Sequence, residues 1–242
     1  MLILTLTLIY SWGYKTHAIL GEFTNLLLNS SKLNLILGNF SEASILPDKL
    51  KFTKEYAWTR KLHYIDIDLK EQNNFISDKI IKKYCKKNCI TWGIPYFHKQ
   101  IRNEKQLNLS LNKFRYHFLL HFLQDLTQPF HLFGKTGGND IFLNCCDSEV
   151  CKSISIHKLW DTVLPEKYDL KFKSKFKFKL KHKFKLNRYI NLHYHIAVKE
   201  YNYYKSVNFT LNITNYYNSR AKYILDDLFT NYKYLVLHYF QI

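Results

Sequence analysis

Three histidines and an aspartate fall within the apolar segment "HFLLHFLQDLTQPFH", His117 to His131. Burying so many titratable groups is costly unless they are paired or bound to something. In His121-x-x-x-Asp125 the i, i+4 spacing places both side chains on one helix face. His157-x-x-x-Asp161 repeats the device farther along, and His131 follows Pro129, whose ring ends the helix. Neutral imidazole and carboxylate are ligands that zinc takes. One His-x-x-x-Asp is equally well explained as a helix-surface hydrogen bond. Two of them, with His131 and a Gly137-Gly138-Asn139 loop between, point to a metal centre.

Helices must position these groups. The chain has only 7 Gly and 4 Pro among 242 residues, and its hydrophobic share is 47%. Few turns and few breakers favour helices over a many-stranded architecture. Phe114, Phe118, Phe122 and Leu126 repeat at i, i+4, which predicts a helix ending at Pro129. "THAILGEFTNLLL", Thr16 to Leu28, reads as an amphipathic helix, and "SISIHKLWDTVLPE" as a short one. Leu192 to Leu211 and Tyr216 to Phe240 read as two more, while "HYIDI" near His63 reads as extended. No linker or repeat divides the motif residues, so one all-α, multi-helix domain is expected over 12–242.

The formal net charge of +17 suits an anionic partner. It is uneven, because every odd position from Lys171 to Lys185 is lysine. This Lys-rich run, alternating with Phe and Leu, reads as a solvated low-complexity insertion rather than a phosphate-gripping edge. The first eleven residues, "MLILTLTLIYS", are apolar, end on the small Ser11 and are too short to span a membrane. They read as a signal peptide, residues 1–11. Five cysteines in two clusters suggest disulfides. Cys85 with Cys89 is one, and Cys151 with Cys145 or Cys146 the other. Five N-x-S/T sequons add weak support for secretion. A secreted or secretory-lumenal monomer without stable membrane insertion is expected.

Over nearly its whole length the chain resembles the zinc-dependent single-strand nucleases of moulds and plants, also called class I nucleases or 3′-nucleotidases. These share an all-helical fold with bacterial zinc phospholipase C. "WGYKTH" supplies Trp12 and His17; Asp48 and "LHYIDI" supply a carboxylate and His63; "HFLQDLTQPFH" gives His121, Asp125 and His131; "HKLWD" gives His157 and Asp161. "SRAKYILDDLF" resembles the family's last helix.

The resemblance implies three zinc ions. Asp48, His63, His121 and Asp125 would hold the first. Trp12, through its free α-amino group and carbonyl oxygen, and His17 would hold another, with Asp125 as a shared bridge. His131, His157 and Asp161 would hold the third. That use of Trp12 requires cleavage after Ser11. Two close zinc ions make hydroxide available near neutral pH for in-line attack on phosphorus. The third would stabilise the leaving 3′ oxygen, so that products carry a 5′-phosphate. Asp48 would also orient or deprotonate the attacking water. Lys51 stands where the family usually has an arginine on the phosphate, keeping the charge without the bidentate fork. Leu46-Pro47 replaces the family's Trp-Ala. Tyr64, Asp66 and Asn139 would meet the substrate, Tyr64 by stacking on a base and Asp66 by accepting from its amine. The implied substrates are single-stranded DNA and RNA and 3′-nucleotides. Alternatives are a zinc phospholipase C, which typically has Glu at the Asp161 position, and an inactive nucleic-acid-binding relative.

Overall fold

Helix α6 (Leu109–Thr127) runs through the centre of the structure, a computed structural model describing residues 13–71, 75–103, 109–147, 150–168 and 186–240. Trp12, the apolar start and the lysine run lie outside these residues. Phe118, Leu119, Leu120, Phe122, Leu123 and Leu126 of α6 are all buried. A helix apolar on every side belongs inside a protein rather than on its surface. Each such large side chain contributes roughly 1.5–3 kcal/mol on full burial.

Around α6 pack α1 (Tyr14–Leu28), α2 (Ser31–Leu37), α3 (Phe40–Leu50), α5 (Ile90–Arg102), α9 (Leu186–Ser206) and α11 (Lys222–Phe240). Helix α4 (Asp78–Cys85) lies against α5. Their starts are written locally. The side chains of Ser30, Asn39 and Ser77 accept from Leu33 N, Glu42 N and Ile80 N, capping α2, α3 and α4. Pro129 ends α6, and Pro129–Leu132 continues as a 3-10 turn.

The expected all-helical character holds, with one small addition. Strands β1 (Phe142–Asp147), β2 (Val150–Ser155) and β3 (Thr210–Asn212) form a sheet in the order β2-β1-β3. β1 and β2 are an antiparallel hairpin, and β3 joins β1 in parallel. Two helix boundaries therefore move. Ser153 to Ser155 pair with Asn144 to Phe142 in the sheet, so the helix of "SISIHKLWDTVLPE" starts at Ile156. It runs as α7 (Ile156–Lys158), a wide π turn (Leu159–Val163) and α8 (Leu164–Lys167). The helix expected to reach Leu211 stops at Ser206, because Asn208 and Phe209 take positive φ and turn the chain into β3. Helix α10 (Ile213–Tyr216) then leads through a second π turn into α11.

The disulfides are Cys85–Cys89 and Cys146–Cys151. The second resolves the alternative for Cys151, since Cys146 faces it across the hairpin while Cys145 is a buried free thiol. Among the described residues no helix is long and apolar enough to cross a membrane.

Candidate metal centre

The site forms where α1, α3, α6 and the "HKLWD" helix converge. Gly21 permits the first contact. A Cβ there would lie 2.3 Å from Phe40 O and 2.5 Å from Ser44 Oγ, so only glycine lets α1 and α3 approach this closely. One turn before Gly21, His17 meets Asp48 of α3 (Nε2 to Oδ2, 3.9 Å) and Asp125 of α6 (Nε2 to Oδ1, 3.4 Å). His63, ending the 3-10 turn Ala57–His63, meets Asp125 Oδ2 at 2.9 Å. His121 meets the same oxygen at 3.0 Å and Asp48 Oδ1 at 3.5 Å.

Asp125 faces two ways. Its Oδ2 lies toward His63 and His121, and its Oδ1 toward His17 and, at 3.7 Å, His131. His131 in turn stands 3.7 Å from Asp161 Oδ1 and stacks against His157, ring centroids 5.2 Å apart. His157 Nε2 lies 2.8 Å from Asp161 Oδ2, the i, i+4 pair foreseen from spacing. Eight of the nine expected ligands are therefore brought together, all at most 6% exposed. The ninth, Trp12, lies outside the described residues. Donor atoms of His17, Asp48 and His121, of His63, His121 and Asp125, and of His131, His157 and Asp161 each lie within 4.8 Å of one another.

Oxygen partners behind the histidines fix their orientation. His17 Nδ1 faces Gln124 Oε1 at 2.5 Å, His121 Nδ1 faces Ser44 O at 2.6 Å, and His157 Nδ1 faces Gly137 O at 2.9 Å. An imidazole whose Nδ1–H donates to oxygen presents a bare Nε2, the usual state of a metal-ligating histidine. Gly137 is required for the last contact: its φ is +61°, and a Cβ would sit 3.2 Å from His157 Nδ1. Gln124 Nε2 also donates to Ser44 Oγ and to Tyr232 Oη, while Thr24 Oγ1 pairs with that hydroxyl. Gln128 Nε2 donates to Asp161 Oδ1 at 2.7 Å. A second network reaches Asp161 through its neighbour. Trp160 Nε1 donates to Tyr204 Oη (2.8 Å), Tyr204 pairs with Tyr216, Tyr216 donates to Glu200, and Arg220 donates to Glu200. Sequence reasoning passed over these residues. The signal present was polar Gln124 and Gln128 inside a segment otherwise apolar around its ligands.

The charges show what the cluster wants. Burial alone would raise Asp48, but His121 and Lys51 hold it well below the usual carboxylate range. Asp125 is lowered likewise against burial, chiefly by His121, and Asp161 chiefly by His157. Three carboxylates are thus ionised in a dry site. Burial would lower His121, yet Asp125 and Asp48 raise it to about 10, whereas burial and then Lys51 push His63 down to about 3. Neither ring nitrogen of buried His131, nor His63 Nε2, has a hydrogen-bond partner. Buried polar atoms of this kind are normally satisfied. Excess negative charge and imidazole rings oriented toward it fit bound cations, whereas an unpartnered nitrogen alone does not mark a ligand, since His117 and His193 carry such atoms in the core.

Lys51 is buried with Nζ 2.6 Å from Asp48 Oδ1, at the cluster's edge. Tyr64 and Asp66 continue from His63. Burial raises Asp66, opposed by the backbone N–H groups of Thr136 and Gly137. Asn139 is not in the cluster; its Nδ2 donates to Thr136 O and braces the same loop. His117 and His193, buried but outside the ligand groups, sit in the core.

A helical scaffold that points buried His and Asp donors from six segments at common centres is that of a metal-dependent protein. The profile of the S1/P1 nuclease family matches residues 12–239, and the chain belongs to that family. Endonuclease 1 of Arabidopsis thaliana is 25% identical over 192 residues, 70% of this chain and 60% of that protein. Endonuclease 3 of the same plant is 26% identical over 137 residues, 53% of this chain and 43% of the relative. The matches thus span less than two thirds of these relatives' lengths.

Proposed function

We propose that this protein is a trinuclear-zinc endonuclease that cuts single-stranded DNA and RNA, leaves 5′-phosphates and also removes the phosphate of 3′-nucleotides. The observation that carries the reading is the convergence of eight buried His and Asp side chains, candidate ligands, three of the histidines held through Nδ1. Family membership and relatives named endonucleases support it. Asp48, His63, His121 and Asp125 would hold one ion. His17 and Asp125, with the α-amino group and carbonyl of Trp12, would hold a second. His131, His157 and Asp161 would hold the third. When bound, zinc supplies Lewis acidity, making hydroxide available near neutral pH and offsetting charge on the reacting phosphate.

The chain's own residues do the rest. Asp48, fully buried and ionised, orients the attacking water. Lys51, already within reach of Asp48, brings its charge to the phosphate. Tyr64 offers a half-exposed ring for a base to stack on, and Asp66 has an Oδ1 without a hydrogen-bond partner, suited to an exocyclic amine. A splayed, unpaired base can reach such a pair and a stacked duplex base cannot, which accounts for single-strand preference. Two disulfides support an oxidising, secretory location. The test is hydrolysis by zinc-loaded protein of single-stranded DNA, duplex DNA and phosphatidylcholine. Single-strand cleavage with 5′-phosphate ends is expected; cleavage of phosphatidylcholine alone would contradict it.

A further inference from the structure

A cavity of about 270 Å³ lies between the Tyr64–Asp66 segment and the loop closed by the Cys85–Cys89 disulfide. Its walls carry Lys61, Tyr64, Asp66, Tyr84, Lys86 and Asn88, and none of the metal-ligand candidates lines it. The two walls are tied together by Ile90 N, which donates to Tyr64 O at 3.0 Å, while Asn88 N donates to Cys85 O at 2.8 Å within the loop itself. Tyr84 is fixed from behind by Glu71 Oε1, 3.2 Å from its hydroxyl. Lys86 and Lys61 are exposed at the mouth. Asp66 Oδ1 is buried and lacks a hydrogen-bond partner.

This arrangement combines aromatic walls and two cations. It matches two parts of one nucleotide: a base face and a phosphate. Because no metal-ligand candidate lines the cavity, the phosphate that the lysines could take is not the one being cut. We propose that the disulfide-closed loop forms the far wall of a nucleotide subsite, in which Lys86 and Lys61 grip the 5′-phosphate of the nucleotide whose 3′-phosphate is hydrolysed. This rests on the 3′-nucleotidase reading above and adds a specificity to it. The protein then prefers substrates phosphorylated on both sides of the sugar, as every internal nucleotide of a strand is. The disulfide holds Lys86 in position, and Lys86 itself takes a left-handed φ of 44°.

The experiment compares adenosine 3′-monophosphate with adenosine 3′,5′-bisphosphate as substrates of the zinc-loaded protein, following release of the 3′-phosphate. Wild type is expected to show a KM about threefold lower for the bisphosphate, the scale of one exposed charge contact. Lys86→Asn removes the charge, and asparagine tolerates the left-handed backbone. It should raise the bisphosphate KM to the monophosphate level and leave kcat unchanged. Lys87→Asn is the control, because Lys87 also has positive φ (60°) but does not line the cavity. It should keep the preference. Release of phosphate from both substrates without preference in wild type, or equal effects of the two variants, would overturn the subsite alone. No release from either substrate would overturn the 3′-nucleotidase reading and the subsite with it.

Discussion

Replacing Asp125 by Asn keeps its shape and removes the charge on which two of the proposed zinc ions depend. The carboxylate lies 2.9 Å from His63, 3.0 Å from His121, 3.4 Å from His17 and 3.7 Å from His131, and is fully buried. Two effects follow. In zinc-free protein the substitution breaks a buried pair with His121, and removing one partner of such a pair costs about 3–5 kcal/mol. In zinc-loaded protein it forfeits two ions. An ion at a free concentration 1,000 times its Kd stabilises the folded state by about 4 kcal/mol, so the loss is about 8 kcal/mol. For a chain of this size Tm moves about 2–4 °C per kcal/mol. Chelation should therefore lower the Tm of wild type by at least ~16 °C more than that of Asp125→Asn. The assay is thermal unfolding of each protein with and without chelator, alongside elemental zinc and turnover on single-stranded DNA. An Asp125→Asn protein with wild-type zinc and turnover would refute the bridging role.

Tyr204→Phe strips the acceptor from Trp160 Nε1, leaving that buried donor unsatisfied, and removes the hydroxyl that donates to Tyr216, which keeps Glu200 as its own acceptor; it should cost about 1–3 kcal/mol in denaturant unfolding and weaken zinc binding by His131, His157 and Asp161 more than by the other ligands. Gly21→Ala drives a methyl into Phe40 O and Ser44 Oγ, so the unfolding free energy should fall by about 1–3 kcal/mol, with zinc bound by His17 lost first on dialysis. Burial pushes His117 and His193 down to about 4. An unfolded chain takes up those protons first, so this stability is full above about pH 6.5 and is lost as pH falls from there toward 4; urea midpoints across that range should drop, and a flat profile would contradict it. Adding one residue before Trp12 of a chain that starts there converts its amine to an amide, and should cut both the zinc count and turnover while leaving the circular dichroism unchanged.

The candidate ligands were legible because helix periodicity ties spacing to direction. His121 with Asp125 and His157 with Asp161 are one turn apart, and both pairs close as spacing predicts. The partners behind them were not legible. Ser44 acts through its backbone carbonyl, which carries no side-chain signature, and Tyr232 reaches Gln124 from more than a hundred residues away. The three-stranded sheet also escaped notice. "SIS" lacks a long alternating pattern, and its strand character comes from pairing with Phe142–Asn144 rather than from local propensity. The bracing of the Thr136 turn by the Asn139 amide was not legible either, because it depends on the positive φ of Thr136 and Gly137.

The central claim, that these buried histidines and aspartates exist to hold three zinc ions, is tested most directly by counting metal. Protein purified in the form that begins at Trp12 should contain about three zinc ions per chain by elemental analysis, and lose its single-strand cleavage as they are stripped. One ion or none per chain in folded protein would contradict it.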